Sequence, residues 1–306
     1  MKTGNDLTVI ILTYNEINHI ERCIKSLSSI AKYIYVVDSF SDDGTVDLAS
    51  SLGAVVLQNP FVNQAVQFQW ALDSLDINTD WIMRLDADEY LEPSLEEEIK
   101  QKLPKVEKNV NGIVLKRRHY FLGRWIKHGD RYPLELMRIW RNGKGYVEQR
   151  WMDEHIVLIE GDMIKMDNDF SDNNLNSIHW FIDKHNKYAS REMVDVISRK
   201  YNLIDIDKHI NQVDAGQAKL KRFIKESVYN KLPIFIRPVF YFIYRYFMRL
   251  GFLDGKEGFA YHFMQGLWYR CLVDLKCFEV ELVIKNHRDD KKYIIKKLES
   301  ISGLKL

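Results

Sequence analysis

The chain reads as an α/β protein, a mostly parallel and partly mixed sheet flanked by helices, with a helical C-terminal extension. Three observations predict this. Short apolar, β-branched runs alternate with helical spacing up to residue 86, the rhythm changes after Pro93, and from about residue 178 the pattern is helical almost throughout. Residues 7–12 (LTVIIL) are the first strand, followed by residues 13–16 (TYNE) and by Ile17, Ile20, Ile24 and Leu27 at helical spacing. Asn15 is the expected cap of that helix. Residues 33–38 (YIYVVD) repeat the strand and run into residues 39–45 (SFSDDGT), after which Val46, Ala49 and Leu52 mark a second helix. Residues 54–57 (AVVL) make a third strand, Ala65, Phe68, Leu72 and Leu75 a third helix, and residues 81–85 (WIMRL) a fourth strand. Such alternation needs crossover connections and buries a parallel sheet on both faces.

After Pro93, with Glu96, Glu97 and Glu98 opening a short helix, residues 113–121 and 134–140 read as strands without long intervening helices, so the second half of the sheet is mixed. The polar stretch 167–174 (DNDFSDNN) marks a boundary near 175. Two domains follow, residues 1–175 and a helical region, residues 176–306.

Composition excludes several classes. Hydrophobic residues make up 46%, charged residues 28%, with 15 Gly and 6 Pro, which rules out disordered and low-complexity chains. Lys and Arg number 44 against 43 Asp and Glu, so no global field draws the chain to nucleic acid. Cys23, Cys271 and Cys277 are odd in number and lack CxxC spacing, which favours a reducing compartment. The N-terminal apolar run is too short for a signal peptide, and no stretch of about 18 uncharged apolar residues exists. A cytoplasmic protein is expected.

In an open α/β sheet, ligands bind beyond the carboxyl ends of the strands. Glu16 follows the first strand, Asp38 ends the second, and residues 86–89 (DADE) end the fourth. Two carboxylates spaced Asp-x-Asp suit Mg2+ or Mn2+, hard ions that keep several waters and bind phosphate oxygens. Such an ion neutralises a diphosphate leaving group. An isolated Asp-x-Asp is commonly a solvated turn; the convergence of Asp38 and Glu16 upon it favours a site. Neither GxGxxG nor GxxxxGK[ST] occurs, so the metal rather than a glycine-rich loop has to carry the phosphates.

Residues 13–16 (TYNE), 36–45 (VVDSFSDDGT) and 85–89 (LDADE), in this order and spacing, resemble the nucleotide and metal motifs of GT-A fold, family 2 inverting glycosyltransferases, in particular the lipopolysaccharide core β-glucosyltransferase type. Residues 67–72 (QFQWAL) resemble a Gln-Lys-Asn-x-Ala-Leu segment, and residues 121–126 (FLGRWI) with Tyr132, Pro133 and Arg138 resemble an acceptor-side block. Residues 151–156 (WMDEHI) resemble a Val-His-Glu-x-Val motif, and residues 249–255 (RLGFLDG) a C-terminal signature. Phe68 stands where Lys is usual and Asp153 where His is usual. The resemblance implies a nucleotide-diphosphate sugar donor, a UDP-sugar, with Tyr14 and Glu16 flanking the nucleoside and Asp38 contacting the base. Asp86 and Asp88 would meet ribose, diphosphate and metal, Asp88 as the direct ligand. Thr13, Asp42, Gln67, Arg84 and Arg138 complete the implied substrate-binding set.

Inversion by a single displacement needs one carboxylate to take the acceptor hydroxyl proton. Asp153 and Glu154 are the candidates; on an alternating strand only one faces the site, and the resemblance favours Glu154. Arg117, Arg118, Arg124, Arg131 and Arg138 each offer a grip for a diphosphate or an anionic acceptor. Arg138 stands out because it interrupts the apolar run 134–140 and is costly there without a partner. Trp125 and Trp151 offer stacking faces for sugar rings, against the commoner core role.

Residues 234–252 (IFIRPVFYFIYRYFMRLGF) hold eight aromatics and three arginines. Arg237, Arg245 and Arg249 fall along one side of a regular helix. A basic stripe beside an aromatic surface suits a helix lying in the plane of an anionic membrane, on the inner face of the cytoplasmic membrane. It equally suits a helix packing on the first domain or in a homo-oligomer, with its arginines in water. Lys285, Arg288, Lys291, Lys292, Lys296 and Lys297 add positive charge.

The expected activity is metal-dependent, inverting transfer of a sugar to a hydroxyl of a lipid-linked or surface glycan such as lipopolysaccharide or capsule. The rival is a catalytically silent membrane-associated or assembly module that keeps the fold. A sugar nucleotidyltransferase would want a Gly-rich, Lys/Arg-bearing loop after the first strand, and TYNE offers none.

Overall fold

The computed structural model describes residues 6–148, 155–203 and 232–306. They divide into two compact units, with the division at Leu175 and Asn176. In the first, β1 (Leu7–Thr13) pairs in parallel with β2 (Tyr33–Asp38) on one side and β4 (Trp81–Asp86) on the other. Its apolar run, broken by Thr8, whose hydroxyl lies 2.7 Å from Thr79 Oγ1, reflects two covered faces. Leu7, Val9 and Ile11 enter one core with Ile20 and Ile24 of α1 (Ile20–Leu27) and Leu95 and Ile99 of α4 (Pro93–Lys102). Ile10 enters the other with Val37 of β2 and Phe68 of α3 (Gln64–Ser74). Successive side chains on a strand point to opposite faces, so a strand covered on both is apolar at nearly every position.

α2 (Thr45–Ser51) leads to β3 (Val55–Gln58), which extends the parallel sheet beyond β2. The remaining strands are β5 (Glu89–Leu91), β6 (Val110–Phe121), β7 (Arg124–Trp125), β8 (Leu134–Arg141) and β11 (Asp162–Asn173), with β9 (Gly145–Val147) and β10 (Ile156–Leu158) in a separate two-stranded ribbon. The main sheet runs β3-β2-β1-β4-β8-β6-β11-β5, with β7 on β6. Its mixed character comes from β8, antiparallel to both β4 and β6, and from β5, antiparallel to β11.

Two local expectations differ from the structure. Asn15 does not cap α1: it sits at φ 55, four residues before His19, which holds the N-cap position. Its side chain instead exchanges hydrogen bonds with Asp42, Nδ2 donating to Oδ1 at 2.9 Å and Oδ1 accepting the Asp42 N–H at 3.0 Å. The polar run 167–174, expected to mark the boundary near 175, is largely β11. Residues 166–168 drop out of the pairing with β6, and Glu98 of α4 accepts the freed N–H groups of Asp167 and Asn168, both at 2.9 Å. A carboxylate from another element thus keeps a polar segment in the sheet.

The second unit contains α5 (Ile178–Lys200), α6 (Ile236–Ile243), α7 (Gly255–His262), α8 (Tyr269–Val283) and α9 (Lys291–Ser302). Its core is Ala189, Met193 and Ile197 of α5 against Val273, Cys277 and Val280 of α8 and Ile294 and Leu298 of α9. α6 continues into a π-helical turn, Tyr244–Met248, and a 3-10 turn, Gly251–Asp254, precedes α7. A Cβ at Gly258 would lie 2.5 Å from Asp254 Cβ and 2.8 Å from the Gly251 carbonyl, so this close approach needs glycine.

The expected arginine stripe does not form. The π turn breaks the 3.6-residue period, and Arg249 is the residue after it. Arg237 forms an ion pair with the buried Asp274 of α8, and Arg245 is only 4% exposed, lying over the rings of Tyr241 and Tyr261 at 5.4 and 5.6 Å. Besides the exposed Arg249, 234–253 leaves an apolar and aromatic surface exposed, including Ile236, Phe240, Phe247, Met248, Phe252 and Leu253. Among the described residues, no helix is long and apolar enough to cross a membrane.

Candidate active site

β1 is followed in space by β2 and β3 on one side and by β4 on the other, so the strand order reverses between β1 and β4. The register brings the site together there: Thr13 pairs with Asp38, and Leu12 with Asp86. Loops leaving the carboxyl ends of parallel strands at such a reversal diverge and open a crevice.

The β1 and β2 loops are bound to each other. Asp38 is completely buried; its Oδ1 accepts from Thr13 Oγ1 at 2.9 Å and Ser41 Oγ at 2.5 Å, its Oδ2 from Ser41 N at 2.8 Å and Gln58 Nε2 at 3.2 Å. Gln67 is also buried, donating to Ser39 Oγ and the Asn59 carbonyl and accepting from Asn59 Nδ2. Both therefore organise the loops in this structure. Glu16 accepts from His19 Nδ1 at 2.6 Å. Tyr14 and Phe40, at 60% and 55% exposure, are the aromatic faces these loops leave open, and Phe40 has φ 62.

At the end of β4, Asp86 lies between Arg84 Nη2, 3.6 Å from Oδ1, and Arg138 Nη2, 3.8 Å from Oδ2. Burial raises its pKa, but Arg84, Arg138 and Arg117 more than offset that and hold the carboxyl below its usual range. Asp88 accepts from Asn174 Nδ2 at 3.0 Å, and its carbonyl accepts from the Asn173 N–H and from Arg22. Glu89, 1% exposed, accepts from Arg138 Nη2 at 2.5 Å and from the Asp86 N–H at 3.0 Å. Its burial pushes the carboxyl up to about 7 against the pull of Arg138. Arg117 continues the chain of charges, 3.6 Å from Glu89 and 3.3 Å from Asp172, whose other partner is His119 at 3.0 Å.

The structure thus groups Thr13, Tyr14, Glu16, Asp38 and Asp42 in the β1 and β2 loops and Arg84, Asp86, Asp88 and Arg138 around the β4 end. Arg138 finds its required partner inside the protein, in Glu89. Trp125 is covered, with Arg118 over its ring at 4.8 Å, Lys127 at 5.4 Å and Tyr132 edge-on at 5.0 Å. Asp153, Glu154 and Trp151 lie outside the described residues, between Glu148 and His155, where the Glu148 N–H donates to the His155 carbonyl at 2.9 Å. Glu89, His19 and Asn174 received no role from the sequence. For Glu89 the available signal was its place in the acidic run 86–89 at a strand end.

Among the described residues, no three of His, Cys, Asp and Glu form a ready metal cage. Asp86 and Asp88 supply two carboxylates, and Asp86 Oδ1 is buried with no hydrogen-bond donor among the described residues. That donor set fits an ion that takes its remaining ligands from water and substrate phosphates.

A mixed sheet whose parallel half ends in an Asp-x-Asp turn at the strand-order reversal defines a GT-A type nucleotide-sugar transferase fold. Residues 8–171 match the model of glycosyl transferase family 2, more than half of the chain, and the chain belongs to that family. An uncharacterized glycosyltransferase of Rickettsia bellii is 42% identical over 93 residues, 30% of this chain and 31% of the relative, so the chain spans about a third of the length of the rickettsial relatives it matches. The lipopolysaccharide core biosynthesis glycosyltransferase LpsC of Rhizobium meliloti is 26% identical over 270 residues, 84% of this chain and 89% of LpsC. Among solved structures, glucosyl-3-phosphoglycerate synthase of Mycobacterium tuberculosis, in complex with Mn2+, UDP and glucosyl-3-phosphoglycerate, aligns at 21% identity over 39% of this chain and 46% of that one, with a TM-score of 0.31.

Proposed function

We propose that the protein transfers a sugar, with inversion, from a UDP-sugar to a hydroxyl of a lipid-linked or surface glycan of the lipopolysaccharide or capsule kind, with a divalent metal. The observation that carries this is the Asp86-Ala87-Asp88 turn at the β4 end, next to the β1 end at Thr13 and two strands from the β2 end at Asp38. Family membership supports the transfer, and the likeness to LpsC supports a lipopolysaccharide-type acceptor.

In this reading Asp88, with Asp86, holds Mg2+ or Mn2+, which when bound neutralises the diphosphate. Tyr14 and Phe40 offer faces against which a base stacks. Glu154 takes the proton of the acceptor hydroxyl as its oxygen bonds to the anomeric carbon; the bond from that carbon to the diphosphate oxygen breaks, and the nucleoside diphosphate leaves. Asp153 is the alternative base. The apolar surface of 234–253 rests in the interfacial layer of a membrane, where the acceptor lipid is met.

The test is a donor screen on the purified full chain with Mn2+, reading released nucleotide, beside calorimetry of UDP binding. Asp88→Asn keeps an acceptor for Asn174 and is expected to lower turnover by about 10²–10³-fold. Glu154→Gln and Asp153→Asn identify the base by which one abolishes turnover while leaving UDP binding intact. Absence of turnover with every donor, together with absence of metal-dependent UDP binding, overturns the reading in favour of a silent module.

A further inference from the structure

We infer that Glu89 and Arg138 are a positioning pair that sets the Asp-x-Asp turn for its metal. The inference rests on the nucleotide and metal site proposed above. Glu89 begins β5, directly after the turn, and its carboxylate reaches back to the start of it, where Oε2 accepts the Asp86 N–H at 3.0 Å. Oε1 accepts from Arg138 Nη2 at 2.5 Å, and the same nitrogen lies 3.8 Å from Asp86 Oδ2. One buried carboxylate therefore fixes the backbone of the first Asp and also decides where the guanidinium beside that Asp sits. The Arg138 guanidinium is further confined over the Phe170 ring, 5.4 Å from its centre.

The function of the arrangement lies in division of charge. Arg138 shared between two carboxylates bonds fully to Glu89 and only approaches Asp86, whose Oδ1 keeps no hydrogen-bond donor among the described residues. Without the charge of Glu89, the guanidinium has one strong partner left, and it closes on Asp86. A carboxylate bonded in that way is a poorer ligand. A buried ion pair adds little net stability compared with apolar residues, so its retention beside the turn needs a reason of this kind. Partners of this sort, one step behind the ligands, typically alter metal affinity by about 10–100-fold.

The test is Mn2+-dependent UDP binding by calorimetry on the full chain, with the thermal midpoint of each variant beside it. Glu89→Gln keeps the shape and an acceptor for the Asp86 N–H but removes the charge. It is expected to need 10–100-fold more Mn2+ for half-maximal UDP binding, and Glu89→Gln/Arg138→Met, which also removes the competing guanidinium, is expected to recover most of that loss. A merely structural pair would lower the midpoint and leave the Mn2+ requirement unchanged. If Glu89→Gln does not fold, Arg138→Met decides: a lowered Mn2+ requirement supports the pair, and a wild-type or raised requirement overturns it. Wild-type Mn2+ dependence in folded Glu89→Gln overturns the inference alone. Failure of the wild-type protein to bind UDP with any divalent metal overturns the proposed function and this inference with it.

Discussion

His19 donates from Nδ1 to the Glu16 carboxylate at 2.6 Å while its Nε2 accepts the Leu175 N–H at 2.8 Å. Since Nε2 accepts from a backbone N–H, the ring proton is on Nδ1. The histidine thus ties the loop after β1 to the end of the segment following β11, and it fixes the carboxylate expected beside the nucleoside.

Replacing His19 by Ala leaves the Leu175 N–H without its acceptor. The expected cost is about 1–3 kcal/mol, read from the urea midpoint at constant m-value. His19→Asn keeps a donor near the Nδ1 position toward Glu16, but its shorter amide places no acceptor at the Nε2 position for Leu175, so it should recover only part of the loss. An unchanged midpoint in His19→Ala would remove this link from the account.

Stability should fall in acid through Glu98. Its burial raises the carboxyl pKa, but hydrogen bonds from Asp167 N–H, Lys102 and Asn168 lower it from the ordinary 4.5 to about 2. A folded-state pKa below the unfolded one contributes stability above pH 4.5 that is lost as pH falls toward 2. The wild type should therefore lose on the order of 2–3 kcal/mol of this contribution across that window. Glu98→Gln should be less stable at pH 7 and show a flatter dependence, measured by urea unfolding at successive pH values.

Phe240 and Phe247, each 56% exposed, test the membrane proposal. Burying a Phe side chain is worth roughly 1.5–3 kcal/mol when complete. Phe240→Ser/Phe247→Ser should therefore weaken co-sedimentation with phosphatidylglycerol and phosphatidylethanolamine vesicles by at least about tenfold, even with partial insertion. Because Arg237 and Arg245 are turned inward, the apolar contribution should persist in high salt. A wild-type protein that ignores vesicles but changes oligomeric state on this double substitution would identify the face as a contact between copies.

The sequence by itself determined the α/β class, the alternation through β4 and the position of Asp86 and Asp88 at a strand end. Those depend on local periodicity, and a strand buried on both faces, such as residues 7–12, announces itself as an apolar run. Three features were decided only by tertiary structure. The polar half of β11 became strand because Glu98, about 70 residues earlier, accepts its freed N–H groups. Arg237 turned inward to Asp274 and Arg245 to the rings of Tyr241 and Tyr261, and a π turn after Ile243 broke the helical period before Arg249. Arg138 turned to Glu89, 49 residues away, for the partner that its burial demands. In each case a polar group in an apolar setting signals that it needs a partner, but a sequence pattern carries no distance between residues far apart in the chain, so only the fold could say which partner it has.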